Sequence, residues 1–396
     1  MTRAFRPIVA AAMTAAFILP ATADTVVFEM IPNVFSANDM TPDGRYIVGE
    51  APGGPYILDT TTNVMTVLPG PGYAAVAVSD DGTVVLGDMP DPTTGDEVAG
   101  LWTQATGWQS LGYLPDALAC PSRSNGYELS ADGTVATGLS WDGCSGRGFL
   151  WTQATGMVEL EALANGGNRA SVLSADGTRF GGFAQGSSNR TPCFWDDTTA
   201  GTLLDPPNGN AVGEVYGMTD DGSVMLGTWN GDAVMWRPDL TRVILGDGQI
   251  IAGWTGIPMD MADDDTVVGF DFLAGNRRAW IRPQNEGPLL ELKAWIQANG
   301  GTVPGGFQTQ VCQAISVDGR HIIGHSGLPT PGAWRVTIIP DCPADLTGDD
   351  TIGPADLAVL LGAWGPNRGH AADFDGDGTV GPADLAILLG AWGDCP

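Results

Sequence analysis

The chain has 396 residues, a formal charge of −29, 57 glycines and 28 prolines. Nucleic acids and anionic membrane surfaces attract basic proteins, so 46 acidic against 17 basic residues argues against both as partners. Only 16% of the residues are charged, and this fraction combined with abundant glycine and proline is typical of a turn-rich β protein.

Residues 1–23 have the pattern of a signal peptide. Arg3 and Arg6 precede an apolar stretch from Ile8 to Leu19, and small residues at Ala21–Ala23 provide a cleavage site. The apolar stretch is too short for a membrane anchor, and no later segment is long and apolar enough to span a bilayer. We therefore expect a mature protein that is secreted, extracellular or attached to the cell surface.

Residues 24–340 contain one motif seven times: a small residue, any residue, then Asp-Gly (Asp-Asp in the sixth copy), then a β-rich run that ends in glycine. The copies are MTPDGRYIVG (Met40–Gly49), VSDDGTVVLG (Val78–Gly87), LSADGTVATG (Leu129–Gly138), LSADGTRFGG (Leu173–Gly182), MTDDGSVMLG (Met218–Gly227), MADDDTVVG (Met261–Gly269) and ISVDGRHIIG (Ile315–Gly324). From Gly44 to Gly319 the mean spacing is about 46 residues, which is the length of a four-stranded propeller blade. The Asp-Gly pairs fit a structural turn, because aspartate accepts backbone hydrogen bonds and glycine takes a left-handed conformation.

Each repeat continues with an aromatic strand, a turn and a fourth apolar run, except the seventh, which lacks the fourth strand. The mature N-terminus supplies an unassigned strand at Thr25–Ile31. We predict an all-β, seven-bladed propeller in which this strand completes blade seven and closes the ring. A solenoid is the alternative and would leave Thr25–Ile31 far from Trp334. The spacing within Pro288–Gly301 predicts one short surface helix.

These repeats resemble the HAF-type extracellular repeat proteins, whose pattern combines an aromatic strand with S-x-DG-x-x-V-x-G. The resemblance covers Phe35–Ile339. It implies export and a propeller fold, and it implies no particular reaction.

Three acidic residues are candidates for chemistry in the repeats. Asp39, Glu128 and Asp260 each stand two residues before the Thr, Ser or Ala that opens the turn. If the inner strands are aligned, these carboxylates lie at one level near the axis, where they could bind a cation or a sugar or act as acid and base. The alternative is that each accepts backbone hydrogen bonds or faces channel water. They are candidate catalytic residues, and no complete catalytic set is assignable.

The C-terminal residues 341–396 contain one acidic unit twice, at an offset of 28 residues. The first copy is DLTGDDTIGPADLAVLLGAWG (Asp345–Gly365) and the second is DFDGDGTVGPADLAILLGAWG (Asp373–Gly393). Calcium loops place oxygen ligands at positions 1, 3, 5, 7 and 12. The first loop supplies Asp345, Thr347, Asp349, the Thr351 carbonyl and Asp356, and the second supplies Asp373, Asp375, Asp377, the Thr379 carbonyl and Asp384. We predict two Ca²⁺ ions, and expect Ile352 and Val380 to pair the loops through a short β contact and a shared core.

A helix is predicted after each loop and none before it, so the doubled unit resembles a type I dockerin domain. The resemblance implies a small helical calcium-binding module with a protein partner. Pro354–Ala355 and Pro382–Ala383 replace the small hydroxyl pair that such domains use on cohesin, so a cohesin partner does not carry over. In the first loop, Asp350 stands at the sharply bent position where the second loop has glycine, and Thr347 stands where the second loop has a carboxylate. We therefore expect the first site to bind calcium more weakly than the second.

Six cysteines in an exported chain predict disulfides. Cys342 and Cys395 bracket the C-terminal module, and Cys120 and Cys144 bracket one repeat, so we predict these two pairs. The sequence leaves open whether Cys193 and Cys312 meet.

The leading interpretation is an exported, non-enzymatic binding or scaffold protein. Its propeller presents a ligand-binding surface, and its calcium-dependent module attaches it to a protein partner or to the cell surface. One alternative is a polysaccharide-degrading hydrolase or lyase, because dockerins are often fused to such enzymes. Another is a propeller that binds a glycan without cleaving it.

Overall fold

The computed structural model describes residues 24–114, 123–141, 145–186, 189–204, 212–284, 287–329, 331–339, 342–349 and 351–395. The predicted signal peptide and the predicted Cys120–Cys144 pair lie outside these ranges. Seven four-stranded antiparallel sheets follow one another along the chain and form a seven-bladed propeller. The predicted all-β class and the number of blades are confirmed.

The strands of the first four blades follow β1 (Thr25–Ile31). They are β2 (Asp39–Met40), β3 (Tyr46–Ala51), β4 (Gly54–Asp59) and β5 (Val64–Val67) in blade one; β6 (Ala74–Val78), β7 (Val84–Pro90), β8 (Glu97–Thr103) and β9 (Gly107–Gly112) in blade two; β10 (Arg123–Leu129), β11 (Val135–Trp141), β12 (Gly146–Thr152) and β13 (Gly156–Glu159) in blade three; and β14 (Asn168–Leu173), β15 (Phe180–Gln185), β16 (Arg190–Trp195) and β17 (Gly201–Leu203) in blade four.

The remaining blades repeat this order, with the innermost strand first. They are β18 (Gly213–Met218), β19 (Met225–Trp229), β20 (Asp232–Trp236) and β21 (Arg242–Ile244) in blade five; β22 (Thr255–Met261), β23 (Val267–Leu273), β24 (Asn276–Arg282) and β25 (Leu290–Glu291) in blade six; and β26 (Val311–Ile315), β27 (His321–Ser326) and β28 (Gly332–Ile339) in blade seven. Helix α1 (Leu292–Ala298) lies within the predicted segment and buries Leu292 and Ile296.

The N-terminal strand closes the ring. All seven residues of β1 pair antiparallel with β28, from Thr25 opposite Ile339 to Ile31 opposite Ala333. This pairing makes β1 the fourth strand of blade seven, so the predicted closure is confirmed and the solenoid alternative is wrong. Because β1 covers the edge of β28, the sheet is not left with an unpaired outer strand there.

The hydrophobic core lies between neighbouring blades. One apolar cluster joins Leu86 and Ala99 of blade two to Ala136 and Phe149 of blade three. At the closure, Phe28 of β1 stacks on Trp334 with 6.0 Å between ring centroids. A single blade exposes two apolar faces, so each blade depends on its neighbours for burial.

The glycine that ends each repeat motif lies in the second strand of its blade, in close contact with the backbone on the axial side. The seven glycines are Gly49, Gly87, Gly138, Gly182, Gly227, Gly269 and Gly324, and a Cβ atom at any of them would lie 1.9–2.3 Å from a carbonyl oxygen in the innermost strand or, for Gly49, just before it. At Gly138 the added atom would also lie 2.8 Å from the Phe149 ring. The motif therefore needs glycine there for space, and the aromatic side chain fills the adjoining volume.

The Asp-Gly turns are structural, as predicted. In blade three the Asp132 carboxylate accepts hydrogen bonds from the Ser130 hydroxyl at 2.8 Å and from the Thr134 backbone N–H at 3.0 Å. Gly133 has a φ of +72°, and a Cβ there would lie 2.7 Å from a methyl group of Val84 in blade two. The turn thus requires a left-handed residue that also allows close contact between blades.

The described C-terminal residues form two short helices, α2 (Pro354–Gly362) and α3 (Pro382–Gly390), with strands β29 (Thr351–Ile352), β30 (Gly365–Pro366), β31 (Thr379–Val380) and β32 (Gly393–Asp394). Ile352, Leu360, Val380 and Leu388 share one buried core. The expected β contact between the two loops is wrong. Instead β29 pairs with β32 and β31 pairs with β30, so each loop pairs with the segment that follows the other unit's helix.

The repeat glycine gives a direct stability test. We expect Gly138→Ala to lower the free energy of unfolding of the propeller by about 3 kcal/mol or more, since its methyl group would press on backbone that cannot yield. Gly156→Ala is the matched control in the same blade, where φ is +66° and nothing lies within 4 Å of the added atom. The control should cost about 1 kcal/mol from backbone strain alone. Urea unfolding measures both, and equal costs would contradict the assigned role.

Candidate functional site: the axial pocket and the acidic loops

The innermost strands surround a cavity of about 370 Å³ on the propeller axis. Asp39, Glu128 and Asp260 all line it, together with residues from each of the seven blades. The structure therefore brings the three sequence-predicted carboxylates to one cavity. Its volume has room for several water molecules or a small polar ligand.

A bulge in the innermost strand places further side chains in the pocket. In blades two to seven the pairing of the first two strands skips one residue. The skipped residues are Val76, Tyr127, Ser171, Tyr216, Met259 and Gln313, and all six line the cavity. Sequence reasoning did not identify this set, because a bulge depends on the register between two strands. The only sequence signal is the glycine opposite each bulge.

Two of the axial carboxylates link neighbouring blades. Asp39 of blade one accepts a hydrogen bond from the Val78 N–H of blade two at 2.8 Å. Asp260 of blade six accepts one from the Ile315 N–H of blade seven at 2.8 Å, and another from the Met261 N–H at the same distance. The alternative of backbone acceptors therefore describes these two residues well.

Burial raises the pKa of Asp39 and of Asp260 to about 7, against the effect of their backbone hydrogen bonds. Glu128 has a raised pKa for the same reason, and the charges of Asp39 and Asp260 raise it further. Its carboxylate accepts a hydrogen bond from the Leu129 N–H at 3.0 Å. Near neutral pH the pocket thus holds carboxyl groups that are partly protonated and can donate as well as accept hydrogen bonds.

A charged cluster reaches the pocket through Arg169, on the side of blades three to five. Glu214 is buried and pairs with Arg169, and Arg190 approaches the same carboxylate at 3.2 Å. Arg169 also donates to the Tyr127 hydroxyl at 3.2 Å and lies over the Tyr127 ring. The Ser171 hydroxyl donates to Glu214 at 2.6 Å. These contacts fix Tyr127 and Ser171 in the pocket wall.

The axial carboxylates do not form a compact metal site. Within the described ranges, sets of three potential metal ligands whose ligand atoms all lie within 4.8 Å of one another occur only in the C-terminal loops. The pocket instead presents hydroxyl, amide, carboxyl and aromatic groups spread around its wall. Such a surface suits an uncharged polar molecule, which needs hydrogen bonds and a flat apolar contact.

The first C-terminal loop brings Asp345, Asp349 and Asp356 together within 4.8 Å. Asp356 is fully buried at the start of α2, where it accepts hydrogen bonds from the Gly353 N–H at 2.7 Å and the Leu346 N–H at 2.9 Å. The predicted ligand Thr347 turns its hydroxyl to Asp356 at 3.0 Å, and the predicted ligand Thr351 begins β29. Asp350 lies outside the described residues.

The second loop brings Asp373, Asp375 and Asp377 together within the same 4.8 Å limit. Asp384 takes the position of Asp356 and accepts hydrogen bonds from the Gly381 N–H and the Phe374 N–H, both at 2.7 Å. Thr379, whose backbone carbonyl is the predicted ligand at position 7 of the loop, is the first residue of β31. The two loops therefore share the buried aspartate at the helix start, but their carboxylate groups differ, because the second group contains Asp375 and Asp377 and does not include Asp384.

The Cys342–Cys395 disulfide is confirmed, with 5.8 Å between Cα atoms and a sequence separation of 53 residues. It ties the two ends of the C-terminal segment together. Cys193 and Cys312 are buried free thiols in blades four and seven, so they do not pair with each other. Burial raises the pKa of both thiols, which keeps them protonated and unreactive.

No protein-family model matches the sequence, and a search of curated proteins gives no match. The HAF-type and dockerin-like resemblances therefore stay predictions. No helix in the part of the chain that the structure describes is long and apolar enough to cross a membrane.

Solved structures share the propeller fold at low identity. An oligogalacturonate lyase in complex with manganese aligns at TM-score 0.54 and 15% identity, covering 79% of this chain and 93% of the lyase. The oligogalacturonate lyase from Vibrio parahaemolyticus aligns at 0.51 and 13%, covering 80% and 98%. The Cps50 (Swd1) β-propeller domain of Myceliophteria thermophila aligns at 0.51 and 12%, covering 79% and 100%. Identities this low establish the fold and nothing about activity.

The axial carboxyls predict a pH dependence. The raised pKa of Asp39 and Asp260 means that the folded chain keeps protons that the unfolded chain releases above about pH 4. Their contribution to stability is therefore largest below about pH 4 and declines as pH rises to about 7. We expect the melting temperature of the propeller, measured in chelator, to fall between pH 5 and pH 8.

The double variant Asp39→Asn/Asp260→Asn should flatten this pH dependence of the melting temperature. Asp247→Asn, at an exposed position on the propeller, is the control and should keep the wild-type slope. An unchanged slope in the double variant would contradict the assignment.

Proposed function

We propose that the protein is an exported, non-enzymatic binding protein with two working parts. The propeller holds a ligand in its axial pocket, and residues 341–396 form a calcium-dependent module that attaches the protein to a protein partner. The observation that carries the proposal is the doubled loop and helix, in which each loop gathers three carboxylates within 4.8 Å. Residues 1–23 would direct export, and residues 24–340 would form the propeller domain.

The loop residues suit calcium by their chemistry. Calcium is held by six to eight oxygen ligands, with carboxylates and backbone carbonyls prominent among them. The first ion would be held by Asp345, Thr347, Asp349, Asp356 and the Thr351 carbonyl, and the second by Asp373, Asp375, Asp377, Asp384 and the Thr379 carbonyl. Bound calcium would offset the repulsion between the clustered carboxylates and so favour the folded module.

The two sites would differ in affinity. Thr347 replaces the carboxylate that Asp375 provides in the second loop, so the first loop offers one charge fewer at that position. Fewer charged ligands weaken a calcium site. We therefore propose that the second loop binds calcium more tightly than the first.

Attachment to a partner would use the outer surface of the module. Leu361 in the last turn of α2 and Trp364 just after it are exposed, and Leu389 and Trp392 occupy the same positions in the second unit. Trp364 is 46% exposed and Trp392 is 45% exposed. Exposed tryptophans of this kind are enriched in protein interfaces. The partner is not assumed to be a cohesin, because the Pro-Ala pairs replace the hydroxyl residues of the dockerins that bind one.

For the axial pocket we propose a glycan ligand, because sugars combine hydroxyl groups with a flat apolar face. Tyr127 and Tyr216 could contact such a face, while Glu128 and Gln313 could bond hydroxyl groups. We do not propose polysaccharide cleavage. Two of the three candidate catalytic residues, Asp39 and Asp260, hold the backbone of the neighbouring blade, which leaves no free pair of carboxylates assigned to acid and base.

Calorimetry tests the calcium proposal. The wild-type chain should show two binding events, and Asp377→Ala should lose at least tenfold in the affinity of the tighter event, because it removes a charged ligand. Asp247→Ala, an exposed propeller position, should keep both events. Absence of calcium heat in the wild type, or loss of the weaker event in Asp377→Ala, would contradict the proposal.

The module should unfold separately from the propeller. A small module with one disulfide, worth about 2–4 kcal/mol, and two ions should lose its structure when both are removed. We expect chelator plus reductant to increase hydrogen exchange in Pro354–Gly362 and Pro382–Gly390 while the blade strands stay protected. Chelator without reductant is the control for the disulfide. Simultaneous loss of protection in the blades would show that the two parts fold as one unit.

A further inference from the structure

The seven repeat turns, six with Asp-Gly and one with Asp264–Asp265, lie around one mouth of the axial pocket, and backbone hydrogen bonds join most neighbouring turns. The residues that precede the turn aspartates are Pro42, Asp80, Ala131, Ala175, Asp220, Asp263 and Val317. In five of the seven neighbouring pairs, the N–H of one residue donates to the carbonyl of the next, at 2.8–3.0 Å. We call this set the turn ring. Six of its seven residues, all except Asp263, line the axial pocket on the turn side.

The turn ring has two interruptions, one between Asp220 and Asp263 and one at Pro42, and the gap at Pro42 is the one that a proline imposes. The ring pattern would have the N–H of this residue donate to the Asp80 carbonyl, but proline has no N–H. The carbonyl of Pro42 still accepts from the Val317 N–H at 3.0 Å. The Asp80 carbonyl is thus left without its donor from the ring.

Arg368 of the C-terminal segment supplies the donor. Its Nη1 atom donates to the Asp80 carbonyl at 3.1 Å and lies 3.9 Å from the Asp43 carboxylate. Arg368 is the only arginine or lysine in residues 341–396. The one strong cation of this acidic segment therefore sits on the gap at Pro42 in the turn ring.

The backbone next to Arg368 also packs closely against Pro42. Gly369 is buried with a φ of +79°, and a Cβ atom there would lie 2.6 Å from the Pro42 carbonyl oxygen. His370 follows, and a protonated ring there would oppose the rise in pKa that burial gives Asp263, which lies two places from Pro42 in the turn ring. A close backbone contact, a hydrogen bond and opposite charges thus converge on one short segment, Asn367–His370.

We propose that the turn-side mouth of the propeller is a binding site for an arginine-bearing segment, and that Asn367–His370 occupies it within the same chain. Asp43, Asp80, Asp220 and Asp263 make the rim acidic, and the missing N–H of Pro42 leaves one carbonyl for the guanidinium. The segment closes this mouth. A ligand of the axial pocket then enters from the opposite end, where the innermost strands begin.

The inference is independent of calcium binding, because the residues that carry it are not calcium ligands. Two substitutions weaken the contact from opposite sides. Arg368→Ala removes the donor. Pro42→Ala adds an N–H that competes for the Asp80 carbonyl without altering the C-terminal segment.

Hydrogen exchange on the full chain tests this directly. In both variants we expect the amides of Gly369 and His370 to exchange at least tenfold faster than in the wild type, because the segment spends more time detached. X-ray scattering should show a larger radius of gyration for Arg368→Ala. Arg123→Ala removes one positive charge at an exposed position where an innermost strand begins, and it should leave both measurements unchanged.

Unchanged exchange at Gly369 and His370 in Arg368→Ala would overturn the proposal. Unchanged exchange in Pro42→Ala would overturn the assignment of the Asp80 carbonyl as the anchor. Circular dichroism of each variant confirms that the blades are folded, so a change in exchange reports detachment and not global unfolding.

Discussion

The pairing of β1 with β28 is the contact on which the rest of the structure depends. Every apolar cluster in the propeller is shared between neighbours, so no blade buries its two faces without the blades on either side. Pairing Thr25–Ile31 with the last strand makes blade seven complete and lets it pack on blade one. Chain ends that lie far apart in sequence are thereby held in one sheet, and the axial pocket has a continuous wall.

The same repeat builds both the blade and the pocket wall. A glycine in the second strand lets the innermost strand approach closely and bulge, and the bulged residue then faces the axis. The structure fixes the backbone at the six bulged positions of blades two to seven while leaving the side chain free to vary, from Val76 to Tyr127 to Gln313. This division explains how one scaffold can present an irregular polar surface. The carboxylates of Asp39 and Asp260, in contrast, accept hydrogen bonds from the backbone of the neighbouring blade and so link the blades.

Much of the fold could be predicted from the sequence because its signals are local and repeated. The seven repeat turns, the aromatic strands and the missing fourth strand led directly to seven blades and to closure by Thr25–Ile31. The carboxylate clusters of the two loops followed from ligand spacing in the same way. Features that depend on register or on distant contacts were not predictable, and these include the bulged residues of the pocket. The pairing of β29 with β32 belongs here too, since the sequence suggested that Ile352 and Val380 would meet across the loops.

The contact between the C-terminal segment and the propeller is the feature that the sequence predicts least. Nothing in the local pattern around Pro42 indicates that it leaves a carbonyl for Arg368, because the two residues are more than 300 positions apart. Yet the contact bears on function, since it closes one mouth of the pocket and places the acidic loops beside the propeller rim. An acidic segment on an acidic rim needs a cation between them, and Arg368 provides it.

The central claim is that the chain carries two calcium ions in its C-terminal loops and none on the propeller axis. Anomalous scattering from crystals grown with calcium tests it most directly. The account predicts two peaks, one among Asp345, Asp349 and Asp356 and a stronger one among Asp373, Asp375 and Asp377. Loops without peaks, or a peak among Asp39, Glu128 and Asp260, would contradict it.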